Sequence, residues 1–221
     1  YKIASFEITD IPLIEYAASK HKPMVLATGI ATEEDIQLAV EACRRMGNND
    51  ITVLKCTSSY PAPVEEANLC MIRDLAERFQ VKSGLSDHTL GSVSPIVAVT
   101  QGASMIEKHF ILNRSIGGPD CSFSMEEKDF AQMVKDVRMA ELSLGKTTYE
   151  LTEKMRGSRS ASRSLYVAED MKAGEVITER NVRSVRPGFG LHPKYLKDIL
   201  GKNVNRDLEK GTRFALEYVN G

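Results

Sequence analysis

The 221-residue chain has no tryptophan, and its 29 Lys and Arg are offset by 30 Asp and Glu, for a formal net charge of −1. A balance this close leaves no broad field of one sign, so no nucleic-acid partner is expected. There is no apolar run of transmembrane length and no signal-peptide pattern, so neither a membrane partner nor export is expected. Only four cysteines occur, Cys43, Cys56, Cys70 and Cys121, and none falls in a C-x-x-C or zinc-ribbon spacing. They read as reduced thiols in a cytoplasmic protein. An initiator methionine is also absent: Tyr1-Lys-Ile-Ala-Ser5 reads as the middle of a strand, and a longer parent chain is expected.

What is present is a 42% hydrophobic composition, enough for a real core. Residues 1–145 repeat one pattern, a short apolar strand followed by an amphipathic helix, which marks parallel βα units. Strands are expected at Lys2–Ala4, Met24–Ala27, Thr52–Lys55, Lys82–Leu85 and Ser104–Glu107. Thr32 precedes Ile36, Ala39, Val40 and Cys43 at helical spacing, and Gly47 closes that run. Ile72, Leu75, Ala76 and Phe79 form the inner stripe of a second helix, and Ser94 to Gln101 form a third. Ser124 and Glu127 make a capping box ahead of Phe130, Met133, Val134 and Val137, a stripe expected in the core.

Five strands suit either a segment of a (β/α)8 barrel or a doubly wound sheet. The placement of polar residues favours the barrel. Ser5 and Glu7, Thr28, Cys56-Thr57-Ser58, Ser86-Asp87-His88 and Lys108-His109 each follow a strand, at the face where barrel enzymes keep their chemistry. The plainer meaning, hydroxyls that cap the next helix, is preferred for Thr28. His88 and His109 occupy matching positions after neighbouring strands, which sets two potential metal ligands side by side. A core histidine with its hydrogen bonds satisfied is the alternative for either one alone.

From 146 to 164 the composition turns to Lys, Arg, Gly and Ser with no apolar period, and an extended linker is expected. Residues 165–221 form a small β-rich domain. It repeats itself: Asp170-Met-Lys-Ala-Gly-Glu and Asp207-Leu-Glu-Lys-Gly-Thr share one form, which implies two similar halves packed together. Between them, Ser184-Val-Arg-Pro-Gly-Phe-Gly190 reads as an exposed loop carrying Arg186, either a surface arginine before a turn proline or a contact for an anion or amide.

Lys2-Ile-Ala-Ser-Phe-Glu7, Cys56-Thr-Ser-Ser-Tyr-Pro-Ala-Pro63, Gly84-Leu-Ser-Asp-His-Thr89, Ile106-Glu-Lys-His-Phe110, Gly118-Pro-Asp120 and Arg186-Pro-Gly-x-Gly190 together resemble the sialic acid synthase family, in the family's order and over essentially the whole chain. The last domain resembles its antifreeze-like (SAF) domain. Tyr1 to Asp10, Ser122-Phe-Ser124 and Gly190-Leu-His-Pro-Lys-Tyr195 are most similar to the branch that forms pseudaminic acid, rather than N-acetylneuraminate or legionaminate. The resemblance implies an α/β fold: an incomplete (β/α)8 TIM barrel of about five C-terminal βα units, followed by the SAF domain. It also implies three barrel strands before Tyr1, and a piece of this kind is expected to be inactive alone.

The reaction so implied joins phosphoenolpyruvate to an acylated amino-sugar aldehyde, adds water and releases phosphate. His88 and His109 would hold a divalent metal, with Mn²⁺ preferred over closed tetrahedral zinc because only two protein ligands are implied, and with Mg²⁺ or Co²⁺ as alternatives. Lys2, Ser5, Ser58 and Ser86 match positions that bind phosphoenolpyruvate. Ala27 and Ser58 depart from the serine and asparagine of N-acetylneuraminate synthases, and Thr28 compensates only if its hydroxyl points inward. Glu7, Tyr60 and Asp120 match positions that meet the acceptor; Glu7 can shuttle a proton, or pair with Lys2 or Lys108. Arg186 matches an arginine that reaches a partner subunit's site, which implies a domain-swapped homodimer. His21 and His192 are read as surface residues. Two other classes remain: a different metal-dependent barrel aldolase or hydrolase, and a non-catalytic ligand-binding module.

Overall fold

A computed structural model describes residues 1–220. The chain divides into two compact units, Tyr1–Lys146 and Thr147–Gly221. In the first, β1 (Lys2–Ile3), β2 (Met24–Ala27), β3 (Ile51–Cys56), β4 (Lys82–Asp87) and β5 (Ile106–Lys108) are interleaved with α1 (Ile11–Ala18), α2 (Glu33–Arg45), α3 (Met71–Phe79), α4 (Val93–Thr100) and α5 (Glu127–Leu144). All four strand pairings are parallel. The strands lie in chain order, β1-β2-β3-β4-β5, without the reversal that a doubly wound sheet requires.

Strand alternation separates the two faces. Met24 and Leu26 of β2 and Ile51 and Val53 of β3 pack beneath Ile14, Ile36, Ala39, Val40 and Cys43 to form the main core. The opposite face carries Lys2, Val25, Thr52, Leu54, Cys56, Gly84, Ser86 and Glu107, which are register partners or lie two apart on their strands. Across that face Lys2 Nζ, on β1, lies 3.1 Å from Glu107 Oε1, on β5. In a flat sheet, four strand spacings of about 4.8 Å would hold those strands about 19 Å apart. The sheet is therefore rolled into an arc, and this face is its concave side: the unit is a segment of a TIM barrel.

Local signals account for the helix ends. Thr32 caps α2 in a reciprocal box with Asp35. Gly47, at φ 74°, follows where the helix stops, in a backbone region that glycine enters without strain. The expected capping box at Ser124 and Glu127 does not form. Ser124 Oγ donates to the Asp120 carbonyl at 2.7 Å, and α5 starts at Glu127 with Glu126 at its N-cap and no side-chain cap. The α5 stripe is also less buried than its spacing suggests: Met133 is buried but Val134 is 43% exposed. Phe130, Met133, Val134 and Val137 line a groove with Met105 and Ile106 beside β5. β5 is the edge strand of the sheet, and among the described residues no strand pairs with its outer side.

Gly84 shows how tightly the arc is packed. A Cβ there would lie 2.3 Å from the Met105 carbonyl oxygen and 2.7 Å from Leu54 Cδ2. Gly84→Ala should therefore push β4 from β5 and cost about 1–3 kcal/mol, read as a lower urea midpoint.

In the second unit, α6 (Glu153–Ser158) lies within 146–164, so that stretch is not uniformly extended; Thr152 caps it through the Met155 amide. β6 (Ser164–Val167) and β7 (Val182–Val185) pair antiparallel. The rest is held by isolated bridges over a core of Leu165, Met171, Ile177, Val182, Val204, Leu208 and Phe214. The sequence repeat is a structural one. Met171 and Leu208 exchange both backbone hydrogen bonds, at 2.8 and 2.9 Å. Asp170 accepts from the Lys210 amide at 2.7 Å and Asp207 from the Ala173 amide at 2.9 Å, so each aspartate closes the opposite half's glycine turn. Among the described residues no helix is long and apolar enough to cross a membrane.

Candidate active site

The carboxyl ends of β4 and β5 bring the two histidines together. Asp87 and Lys108 are register partners, so the next residues, His88 and His109, fall side by side. Their ring centroids are 5.2 Å apart in an edge-to-face arrangement. His88 is buried, and its Nδ1 meets the Thr57 carbonyl at 2.9 Å. A carbonyl only accepts, so Nδ1 carries the hydrogen in that bond and Nε2 keeps its lone pair. His109 Nδ1 lies 3.7 Å from Asp120 Oδ2. Two facing imidazoles, one of them oriented by a carbonyl that leaves its Nε2 lone pair free, are a donor set that fits a divalent cation. Among the described residues no group of three or more His, Cys, Asp or Glu could hold a metal ion, so water or substrate oxygens would have to complete its shell.

Beneath the rings, on the convex side, Lys108 and Asp87 form an ion pair at 2.6 Å with both side chains 1% exposed. Lys108 also donates to the Thr89 carbonyl at 2.6 Å, and Asp87 accepts from the Thr89 amide at 2.9 Å. Lys108 is thus committed to Asp87 and Lys2 to Glu107; neither pairs with Glu7, which is exposed in the 3-10 turn Ser5–Glu7. Glu107 also accepts from Ser86 at 2.7 Å, which joins Lys2, Glu107 and Ser86 on the concave face.

A second cluster lies at the ends of β1 to β3. Ser5 Oγ donates to Cys56 Sγ at 3.4 Å and accepts from the Gly29 amide at 3.0 Å. Cys56 Sγ is 3.9 Å from both Ser58 Oγ and His88 Nδ1. Any Cβ on residue 29 would stand 2.0 Å from Ser58 Oγ, so glycine leaves the small polar space that the two serines edge. Burial pushes the Cys56 thiol up, but hydrogen bonding with His88 and Ser5 outweighs it and brings the thiol down to about 7. Burial also opposes the charged form of His88, yet contact with Cys56 and the Thr57 carbonyl raises it. His109 is lowered, by burial and then by its neighbour His88. The two imidazoles are therefore pushed in opposite directions.

Tyr60 completes the wall, its ring 4.3 Å from His88 and 5.9 Å from Phe123. Thr28 does not compensate for Ala27: its hydroxyl donates to the Leu54 carbonyl at 3.0 Å, and it lines a groove with Lys55, Ile36 and Leu75 on the helix side. These contacts join Ser5, Ser58, Tyr60, His88, His109 and Asp120 in one cluster and Lys2 and Ser86 in another through Glu107, whereas Glu7 has no side-chain partner among the described residues. Arg186 is exposed in the second unit, and His21 and His192 are exposed. The sequence pattern put Cys56 at this face without giving it a role, and gave none to Gly29 or Glu107. Glu107 was within reach of it: two positions before His109 on one strand means the same face.

Residues 1–149 match the NeuB family and residues 162–213 the SAF domain. The chain is 50% identical over 220 residues to the pseudaminic acid synthase of Helicobacter pylori, covering 99% of this chain and 65% of that protein. It is 33% identical over 223 residues to the N,N'-diacetyllegionaminic acid synthase of Legionella pneumophila, covering 99% of this chain and 63% of that one. The crystal structure of the Bacillus subtilis spore coat polysaccharide biosynthesis protein superposes with a TM-score of 0.63 at 32% identity, over 100% of this chain and 67% of that one. The chain thus spans a little under two thirds of the length of the two curated relatives.

Proposed function

The chain belongs to the NeuB family and carries a SAF domain, and from that premise we propose that it acts, within a complete barrel, as a pseudaminic acid synthase. The reaction is the condensation of phosphoenolpyruvate with 2,4-diacetamido-2,4,6-trideoxy-altrose and water, giving pseudaminic acid and phosphate. What carries the reading is the facing pair His88 and His109 beside a concave face of serines and Lys2, in a chain half identical to the Helicobacter pylori enzyme.

In this reading Lys2 and the hydroxyls of Ser5, Ser58 and Ser86 hold the phosphate and carboxylate of phosphoenolpyruvate by charge and hydrogen bonds. The half-exposed Lys2–Glu107 pair keeps the ammonium over the concave face until the anion arrives. Tyr60, Asp120 and Glu7 contact the acceptor's hydroxyls and amides. His88 and His109 would hold a divalent cation, Mn²⁺ by preference and Mg²⁺ or Co²⁺ otherwise, which would supply Lewis-acid polarisation of the aldehyde carbonyl. The enol carbon of phosphoenolpyruvate then forms the new carbon–carbon bond as the aldehyde oxygen takes up a proton. Water adds at C2, and phosphate leaves to give the 2-keto acid.

Arg186 is assigned to a second copy's site, reaching the acceptor's acyl group from the SAF unit of a domain-swapped homodimer. In support, the first unit is net acidic and the second net basic. A cytoplasmic location goes with this reading, since phosphoenolpyruvate is made there. The test is an assay of the full-length protein with Mn²⁺, comparing the diacetamido-altrose with N-acetylmannosamine. Phosphate release should favour the former; preference for N-acetylmannosamine would overturn the pseudaminate assignment and leave family membership intact.

A further inference from the structure

Lys55 is a partly buried amine that the proposed chemistry does not use. It points from β3 toward the helices, opposite to Cys56, and lines a groove of about 360 Å³ with Thr28, Ile36, Met71 and Leu75. From that side its ammonium curls back over the strand end. Nζ donates to the Cys56 carbonyl at 2.7 Å and to Thr57 Oγ1 at 3.3 Å. Thr57 Oγ1 donates in turn to the Glu66 carbonyl at 3.2 Å, so this residue is tied on two sides. The Thr57 carbonyl is the group that meets His88 Nδ1 at 2.9 Å.

We infer that Lys55 is a positioning residue for His88: it fixes the Cys56–Thr57 peptide so that the Thr57 carbonyl selects the Nδ1–H tautomer and leaves Nε2 free for a divalent cation. The inference rests on His88 being a metal ligand, and extends that assignment to a side chain on the other face of the sheet. Apolar filling of the groove would not require an amine. Two bonds from one ammonium, one to the Cys56 carbonyl and one to the Thr57 hydroxyl, on either side of the residue whose carbonyl meets His88, do require one. A charge-assisted bond holds a strand-end peptide more firmly than water would, and an imidazole's orientation is only as well defined as the acceptor it faces.

The test compares Lys55→Met, which keeps the length and fills the groove, with Lys55→Arg and Thr57→Val in the full-length protein. Mn²⁺ alone is titrated, and the ring nitrogens of His88 are followed by NMR without metal. Lys55→Met should weaken Mn²⁺ binding about tenfold and move the His88 nitrogens away from a pure Nδ1–H tautomer. Lys55→Arg should restore both, and Thr57→Val should repeat the defect in milder form. A folded Lys55→Met protein with unchanged His88 signals overturns the inference, as does one that binds Mn²⁺ like the parent. If His88→Ala binds Mn²⁺ undiminished, the metal assignment itself falls; the tautomer readout, taken without metal, separates that failure from failure of the Lys55 role.

Discussion

Lys108→Ala should destabilise the first unit by about 3–5 kcal/mol, because it strands the carboxylate of Asp87 in an interior that gives it no water. Asp87 would keep its bond from the Thr89 amide and lose the ammonium it pairs with. The Thr89 carbonyl would lose a donor in the same step. Asp87→Ala should be comparably harmful, for it leaves an ammonium buried. Removing both charges together, as Lys108→Met with Asp87→Leu, should recover most of the loss, since well-packed apolar replacements of a buried ion pair are often neutral. Urea denaturation of the parent, Lys108→Met, Asp87→Leu and the double variant closes a double-mutant cycle, and a strongly favourable coupling energy is the expected result. Near-additive losses would mean that the two side chains do not share one enclosed pair.

Removal of either imidazole should have the largest effect on catalysis. Lewis-acid polarisation is worth several kcal/mol, and each 1.4 kcal/mol is a factor of ten, so His88→Ala and His109→Ala should each lower turnover roughly a thousandfold in the full-length protein. Mn²⁺ affinity should fall in parallel. If, as proposed, the two imidazoles are the cation's protein ligands, the loss of one leaves a single imidazole, which holds a divalent ion poorly. The double variant should be little worse than either single one, as expected for two groups that act as a unit. Thermal stability should barely change for His109→Ala, whose ring is a third exposed. It should drop for His88→Ala, where a buried ring and its bond to the Thr57 carbonyl are lost. Turnover within tenfold of the parent for both variants would remove the cation from the mechanism.

Much of this arrangement was legible in the sequence because it depends on local periodicity. Alternation within Ile51–Cys56 and the spacing of Ile36, Ala39, Val40 and Cys43 are properties of single elements. The histidine pair could be read because each ring follows its strand at the same offset, and parallel neighbours preserve offsets. Contacts set by register between distant segments were not legible. Nothing local says that Lys2 meets Glu107 across the arc, that Lys108 chooses Asp87 over Glu7, or that Gly29 leaves room for Ser58. The Ser124 capping box failed for a related reason: the motif was present, but the Asp120 carbonyl reached the hydroxyl first. Thr28 neither enters the concave face nor caps α2: one residue of phase on β2 turns it to the helix side, where its hydroxyl goes to the Leu54 carbonyl and Thr32 supplies the cap.

The crossed turns of the second unit bear on how it tolerates change. Since the carboxylate that seals each glycine turn is lent by the other repeat, a lesion at Asp170 is felt around Lys210, and one at Asp207 around Ala173. Neither repeat can drift in sequence on its own, and fraying cannot begin in one and spare its twin. The module should come apart in a single step, and the positions that keep its two repeats in agreement are those to hold fixed when its surface is re-engineered.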